Sequence, residues 1–305
     1  MASREPRSKR LRRAAAAARS GLRRYPRDLT QSITSPLRPV RPAPPPRLGA
    51  IGEHDPLAAA WLGHASVLLR LAGANVLLDP VFSHRIGMRL GPLVLGPHRL
   101  LQPFSPDLLP QIDLILISHA HFDHLDRPSL AALIHPKTVV ITARGTRRLI
   151  PRGFRHIIEL DWNKSIEYRA LRVSAHEPQH WGARAAIDRR RGYNAYELVA
   201  DTASAFFSGD TAHTETFSAV QGPDLAIFGI GAYDPWDHKH ATPEQVWSMF
   251  RAMNAAHLLP VHHSTFELSD EAADEPMRRL IAAASDDRRR VIPPVPGRLW
   301  SPPSP

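Results

Sequence analysis

At 305 residues, 43% apolar and 22% charged, the chain can bury a full core and has the composition of an ordinary globular protein. It has no cysteine, which excludes disulfides, thiol nucleophiles, iron–sulfur clusters and Cys-ligated zinc. The formal charge of +10 points to a polyanionic partner until it is located. Residues 1–50 hold 13 Lys/Arg against Glu5 and Asp28, whereas residues 51–305 hold 26 basic and 27 acidic side chains.

The basic excess therefore sits on a Pro/Arg-rich arm, residues 1–48. Arg4–Arg13 is a basic block, Ala14–Ala18 has helix propensity, and Pro36–Pro46 reads as a stiff polyproline-type linker. With few large apolar groups to offset its ordering entropy, the arm is expected to be disordered or loosely ordered. No apolar run approaches the roughly 18 residues of a membrane span. Five alanines fall short of the roughly 7–15 apolar residues of a secretory core. A cytoplasmic protein is expected, with the arm available for peripheral membrane contact; nucleic acid is not the expected partner.

The globular pattern occupies residues 49–300, and a Pro/Ser tail, 301–305, follows. Ala60–Leu71 and Ala74–Val81 are apolar runs joined at Gly73, which predicts a β-hairpin. Phe82–Phe104, rich in Gly, Pro, Leu and Met, reads either as a hydrophobic lid or as a packed irregular loop. Ile112–Ser118 is a continuous apolar run, predicting a strand buried on both faces, and Pro128–Ile134 reads as a helix. Further strands are predicted at Thr138–Thr142, Ile157–Leu160, Ala170–Ala175, Tyr193–Val199, Ser204–Ser208, Leu225–Ile230 and Leu258–Val261. Thr242, Pro243 and Gln245 make a capping box that opens a helix with Val246, Met249, Phe250 and Met253 on one face. Strand pairs without intervening helices occur in both halves. That predicts two packed sheets with helices outside, an αββα sandwich in the α/β class.

The chemistry concentrates in His119-Ala-His121-Phe-Asp123-His124, directly after the buried strand. Residues two apart on extended chain point the same way, so His119 and His121 can grip one metal. A turn then redirects Asp123 and His124 toward a second. Four ligands cannot fill two sites, and three further candidates stand after strands: His180, Asp210 and His262. Each is weak alone. Together the seven give three histidines for one metal, an aspartate and two histidines for the other, and Asp210 to bridge. Zinc is the expected metal, with iron or manganese as alternatives.

This set resembles the metallo-β-lactamase superfamily. The flanking words Trp61-Leu-Gly-His64-Ala-Ser66, Asp79-Pro80-Val81-Phe82-Ser83, Gln179-His180-Trp181, Gly209-Asp210-Thr211, Gly231-Ala-Tyr233-Asp234-Pro235 and His262-His263-Ser-Thr265-Phe266 resemble its N-acyl-phosphatidylethanolamine-hydrolysing phospholipase D branch. The ascorbate-6-phosphate lactonase group is a more distant match. The resemblance runs from about residue 55 to 285. It implies a sandwich fold with a dinuclear site: His119, His121 and His180 on one metal, Asp123, His124 and His262 on the other, and Asp210 between. His262 takes the ligand position and His263 is left to shape the pocket, although neighbouring histidines leave the choice open. His240 aligns with a histidine that would touch substrate or leaving group; it also reads as a loop residue beside the helix cap. Asp123 could orient the nucleophilic water or accept its proton. Asp79 reads as a partner for a ligand histidine or as a turn residue before Pro80, and His64 and Ser66 lie in a loop that could face the site.

The implied reaction is metal-dependent hydrolysis by metal-bound hydroxide, on a small-molecule or lipid substrate with an anionic group. A phosphodiester of the N-acyl phospholipid type leads. A lactone or phospho-sugar on the same metals is the alternative. A reading of another class makes the protein a polyanion- or membrane-binding module acting through its arm.

Overall fold

The computed structural model describes residues 7–34 and 56–303, apart from Pro92, residues 185–187 and Arg189. The linker Pro36–Pro46 and the end of the tail lie outside the described residues. The described chain opens with helix α1 (Arg7–Thr34) and the strands β1 (Leu57–Gly63), β2 (Ser66–Leu71) and β3 (Ala74–Leu78). A small hairpin follows, β4 (Met88–Leu90) with β5 (Leu93–Leu95), and then β6 (Leu114–Ile117), α2 (Arg127–Ala132), β7 (Val139–Ala143) and β8 (His156–Leu160). The second half holds β9 (Ser165–Tyr168), β10 (Leu171–His176), β11 (Ala195–Val199), β12 (Ser204–Phe207) and β13 (Leu225–Gly229). It ends with α3 (Pro243–Ala252), β14 (His257–Val261), α4 (Glu275–Ala284) and β15 (Leu299–Trp300).

Two mixed sheets form, in the orders β15-β1-β2-β3-β6-β7-β8 and β14-β13-β12-β11-β10-β9. Strand alternation decides what lies between them. Leu114 and Leu116 of β6 point inward to meet Leu225 and Ile227 of β13 in one shared core. Their neighbours Ile115 and Ile117 point outward and pack with Leu130 of α2. On the other side Ala226 and Phe228 pack with Val246 and Phe250 of α3 and Leu280 of α4. Both sheets are thus buried on both faces, which is why their central strands read as unbroken apolar runs. The result is the αββα sandwich expected, and each large core side chain adds roughly 1.5–3 kcal/mol of burial. The capping box is present: the Thr242 side chain accepts from the Gln245 N–H, and Gln245 Oε1 accepts from the Thr242 N–H at 3.0 Å.

Strand direction puts one end of the sandwich to use. Strands β12, β13 and β14 run parallel, and β10 shares their direction because it is two antiparallel steps from β12. In the other sheet β3 and β6 are parallel, and β1 follows them by the same two-step rule. In each sheet the C-terminal strand ends therefore lie along one edge, and the loops carrying the candidate residues leave from those edges.

The structure departs from the sequence reading in several places. The run Ala60–Leu71 is split by a tight turn at His64 and Ala65 into paired strands β1 and β2. Strand β9 and helix α4 were not foreseen. The largest difference is the arm. Arg7–Thr34 is helical and docks on the body. Arg13 pairs with Asp237 at 3.2 Å, Arg23 with Asp270 at 2.7 Å, and Arg27 with Glu267. Arg24 donates to the carbonyls of Glu267 and Leu268, and Ser20 Oγ donates to Asp270 at 3.0 Å. Helix propensity of an Ala/Arg/Leu-rich segment, hydrogen bonds at buried Ser20 and Ser32 and ion pairs with a few carboxylates together hold the segment in place. None of the apolar core clusters takes a residue from α1. Among the described residues no helix is long and apolar enough to cross a membrane.

Candidate metal centre

After β6 the chain curls on itself: the His124 and Leu125 N–H groups both donate to the His121 carbonyl, at 3.2 and 2.9 Å. The curl turns Asp123 and His124 away from the line of His119 and His121, as the motif spacing requires. His180 arrives from the loop after β10, Asp210 from the end of β12, and His262 from the end of β14. Glycine is needed at two joints. A Cβ on Gly209, where φ is +54°, would lie 2.8 Å from Ser118 Cβ; one on Gly231 would lie 2.3 Å from the His262 carbonyl oxygen. His262 and Asp79 themselves hold left-handed φ values of +59° and +36°, conformations that cost free energy and gather at functional sites.

The seven predicted residues meet. His119, His121, His180 and Asp210 bring one ligand atom each within 4.8 Å of one another, and so do Asp123, His124 and His262 together with His64. Asp210 touches both groups. Its Oδ2 lies 3.2 Å from His124 Nε2 and 3.7 Å from His180 Nε2, while Oδ1 lies 3.3 Å from His262 Nε2. Asp123 Oδ2 lies 3.3 Å from His262 Nε2. His263 turns elsewhere: its ring stacks on Trp61 with centroids 5.0 Å apart, and it belongs to neither group. His240 stands at the edge, with Nδ1 3.7 Å from Asp210 Oδ2.

Supporting contacts fix the rings. Asp79, fully buried, accepts from His124 Nδ1 at 2.6 Å and from the Ser118 N–H at 2.7 Å. Ser66 Oγ bonds the Asp79 carbonyl at 2.7 Å and so holds the turn that delivers it. His180 Nδ1 faces the Lys239 carbonyl at 3.0 Å. Such partners select the tautomer and leave the other nitrogen aimed at the centre. Sequence reasoning left His64 undecided; here its Nε2 lies 3.0 Å from Asp123 Oδ2.

The electrostatics follow from burial and crowding. Burial, aided by neighbouring histidines, holds His119 and His180 well below the usual imidazole range and brings His64 down to about 3. Burial also lowers His240 to about 4. For Asp123 and Asp210 burial favours protonation, but His124 and His262 outweigh it and keep both carboxyls ionised. Burial opposes charge on His262 as well, yet Asp210 and Asp123 lift it to about 9. His121 Nε2, His124 Nε2, Asp210 Oδ2 and both ring nitrogens of His262 are buried without a hydrogen-bond partner. A buried polar atom left unpaired costs about 1–3 kcal/mol. Imidazole nitrogens and carboxylate oxygens orphaned around a common centre fit a divalent cation.

The pocket over this cluster, about 250 Å³, is walled by the body residues Trp181, Trp236 and Lys239 and by Gly21, Arg24 and Tyr25 of α1. The arm, expected to be disordered or loosely ordered, thus borders the cluster. Lys239 was not foreseen either, since a lone lysine in a short loop carries no pattern.

A two-sheet sandwich with a His/Asp cluster at its strand ends is the architecture of a metal-dependent protein of the metallo-β-lactamase fold. The sequence pattern of the beta-lactamase superfamily domain matches residues 74–263, and the chain belongs to that superfamily as a metallo-β-lactamase-fold hydrolase. An uncharacterized protein of Mycobacterium tuberculosis is 34% identical over 269 residues, covering 83% of this chain and 71% of its own. N-acyl-phosphatidylethanolamine-hydrolyzing phospholipase D 1 of Caenorhabditis elegans is 28% identical over 234 residues, 70% of this chain and 65% of its own. Among solved structures, the isothiocyanate hydrolase from Delia radicum gut bacteria shares the fold, with TM-score 0.63 and 16% identity over 80% of this chain and 98% of its own.

Proposed function

We propose that the protein hydrolyses phosphodiesters with two divalent cations, zinc before iron or manganese, and that its substrate is of the N-acyl phospholipid type. The convergence of seven ligand-type side chains with orphaned buried atoms carries this reading. His119, His121 and His180 would hold one cation, Asp123, His124 and His262 the other, with Asp210 between. The nitrogen-rich set is what favours zinc. When bound, such cations supply Lewis-acid stabilisation of phosphoryl oxygens and make water ionisable near neutral pH.

The protein's own residues do the rest. Asp123, ionised and braced by His64, orients the attacking water and takes its proton. Water oxygen bonds to phosphorus, the P–O bond to the leaving alcohol breaks, and the proton is returned to that alcohol. His240, uncharged at neutral pH, offers a hydrogen bond on the leaving-group side. A groove of about 600 Å³ between α1 and the β4–β5 hairpin, lined by Leu29, Ile86, Met88 and Leu95, opens onto His121 and Asp123. Its apolar walls suit an acyl chain, and the relative named for N-acyl-phosphatidylethanolamine hydrolysis supports that substrate class. The Phe82–Phe104 segment forms one side of the groove. Leu22 and Ile33 of α1 are exposed on an arginine-rich helix, a surface suited to peripheral contact with an anionic bilayer.

The test is metal analysis joined to a substrate panel. About two cations per chain and turnover of bis(p-nitrophenyl) phosphate and N-acyl phospholipid are expected. Turnover of lactones or phospho-sugars alone would replace the phosphodiester reading by the lactonase one.

A further inference from the structure

We propose that Lys239 and Arg24 are specificity-determining cations of this pocket, and that helix α1 is a working wall of the active site. The inference rests on the phosphodiester reading and names the groups that recognise the phosphoryl anion beside the metal cluster.

Lys239 sits in a tight turn, its N–H donating to the Trp236 carbonyl at 2.7 Å while its own carbonyl faces His180 Nδ1 at 3.0 Å. The turn that orients a ligand-type histidine therefore also places Lys239 in the lining of the pocket that holds Asp123 and Asp210. Its ammonium is half-buried and has no ion pair or hydrogen bond among the described residues. Arg24 of α1 lines the same pocket. Its neighbours Arg23 and Arg27 pair with Asp270 and Glu267, whereas Arg24 donates to the backbone carbonyls of Glu267 and Leu268 and forms no ion pair with a carboxylate among the described residues.

Two cations that form no ion pair among the described residues thus line a pocket whose carboxylates, Asp123 and Asp210, are committed to the histidine cluster. Partly desolvated positive charge without a counter-ion is unfavourable, and an anion entering the pocket relieves it. A phosphodiester keeps two non-bridging oxygens. One can face the cluster while the other meets Lys239 and Arg24. A neutral ester or lactone offers neither cation a partner, so the pair selects for charge.

The experiment compares Lys239→Met and Arg24→Gln in the full-length, metal-loaded protein, with inorganic phosphate as the calorimetric probe. Each variant should bind phosphate about 10- to 100-fold more weakly, as expected for losing one charge-assisted hydrogen bond. Lys239→Arg should restore most of the affinity. KM for bis(p-nitrophenyl) phosphate should rise while kcat/KM for p-nitrophenyl acetate stays put. Arg27→Gln loosens the same helix without removing a pocket charge and should leave phosphate affinity unchanged. Unchanged phosphate binding in both Lys239→Met and Arg24→Gln would overturn the proposal. So would an equal loss in Arg27→Gln, which would make α1 docking the cause instead of the Arg24 charge. If wild-type protein binds phosphate yet hydrolyses only neutral substrates, the phosphodiester reading fails, and the calorimetry still decides the cation pair.

Discussion

Replacing Asp79 by asparagine should weaken metal binding while leaving the fold in place. The carboxylate is fully buried and accepts from the Ser118 N–H, from Ser118 Oγ and from His124 Nδ1 at 2.6 Å. An asparagine of the same shape keeps one acceptor oxygen for the Ser118 N–H. Its amide nitrogen then confronts the His124 Nδ1 proton with a donor. His124 must lose that bond or move its proton to Nε2, the atom that faces Asp210 and Asp123. Partners of this kind typically govern 10- to 100-fold in metal affinity, which corresponds to about 1.4–2.8 kcal/mol. Asparagine also tolerates the left-handed backbone at this position. Asp79→Ala is a poorer probe, because stripping all acceptors from buried donors costs about 3–5 kcal/mol and confounds binding with folding. Competition of the loaded protein with a chromophoric chelator gives the affinity, and urea unfolding of the metal-free protein gives the stability. An Asp79→Asn variant that holds its metals within twofold of wild type would refute the reasoning.

Other outcomes follow from the same geometry. Gly209→Ala places a methyl 2.8 Å from Ser118 Cβ and 2.9 Å from the Asn194 carbonyl, next to Asp210; it should lose about 1–3 kcal/mol in denaturant melts and about 100-fold in kcat. Stripping the metals should lower the melting temperature, with recovery on adding zinc; equal melting of both forms would argue against occupancy of the cluster. Glu244 is pulled down to about 2 by its two hydrogen bonds to Arg279, at 2.8 Å each. A depressed carboxyl contributes stability above its unfolded pKa, near 4.5, and loses it as pH falls toward 2. The pair is solvent-screened, so the contribution is at most about 1 kcal/mol. The stability gap between wild type and Glu244→Gln should shrink between pH 7 and pH 3, and a constant gap would count against the pairing.

Local signals made much of this legible. The His119–His124 spacing, the apolar run before it and the capping box at Thr242 each depend on neighbours in sequence, and the structure realises each of them. Strand ends carrying His180, Asp210 and His262 could be read as such, because every one follows an apolar run. What escaped depends on distant partners. The turn at His64 uses a histidine with φ +53° held by Thr265, two hundred residues away, so β1 and β2 read as a single strand. Strict alternation cannot separate His262 from His263, because the left-handed backbone at His262 breaks the strand pattern there. Helix α1 escaped for a similar reason. Its docking draws on Asp237, Glu267 and Asp270 and on Arg85, which donates to Ser32 Oγ at 3.0 Å, and composition alone does not reveal that those groups face it.

A helix bolted down by ion pairs over an apolar sandwich gives the molecule two unequal kinds of attachment. Charge screening does little to the apolar contacts inside the sandwich and more to the ion pairs under α1. Screening length falls from about 8 Å in physiological salt to about 3 Å at 1 M, and exposed pairs of this kind weaken with it. Concentrated salt should therefore loosen the pocket's outer wall while the sheets hold their shape. Two preparations of the same protein, kept in different buffers, would then present differently shaped mouths to the same substrate.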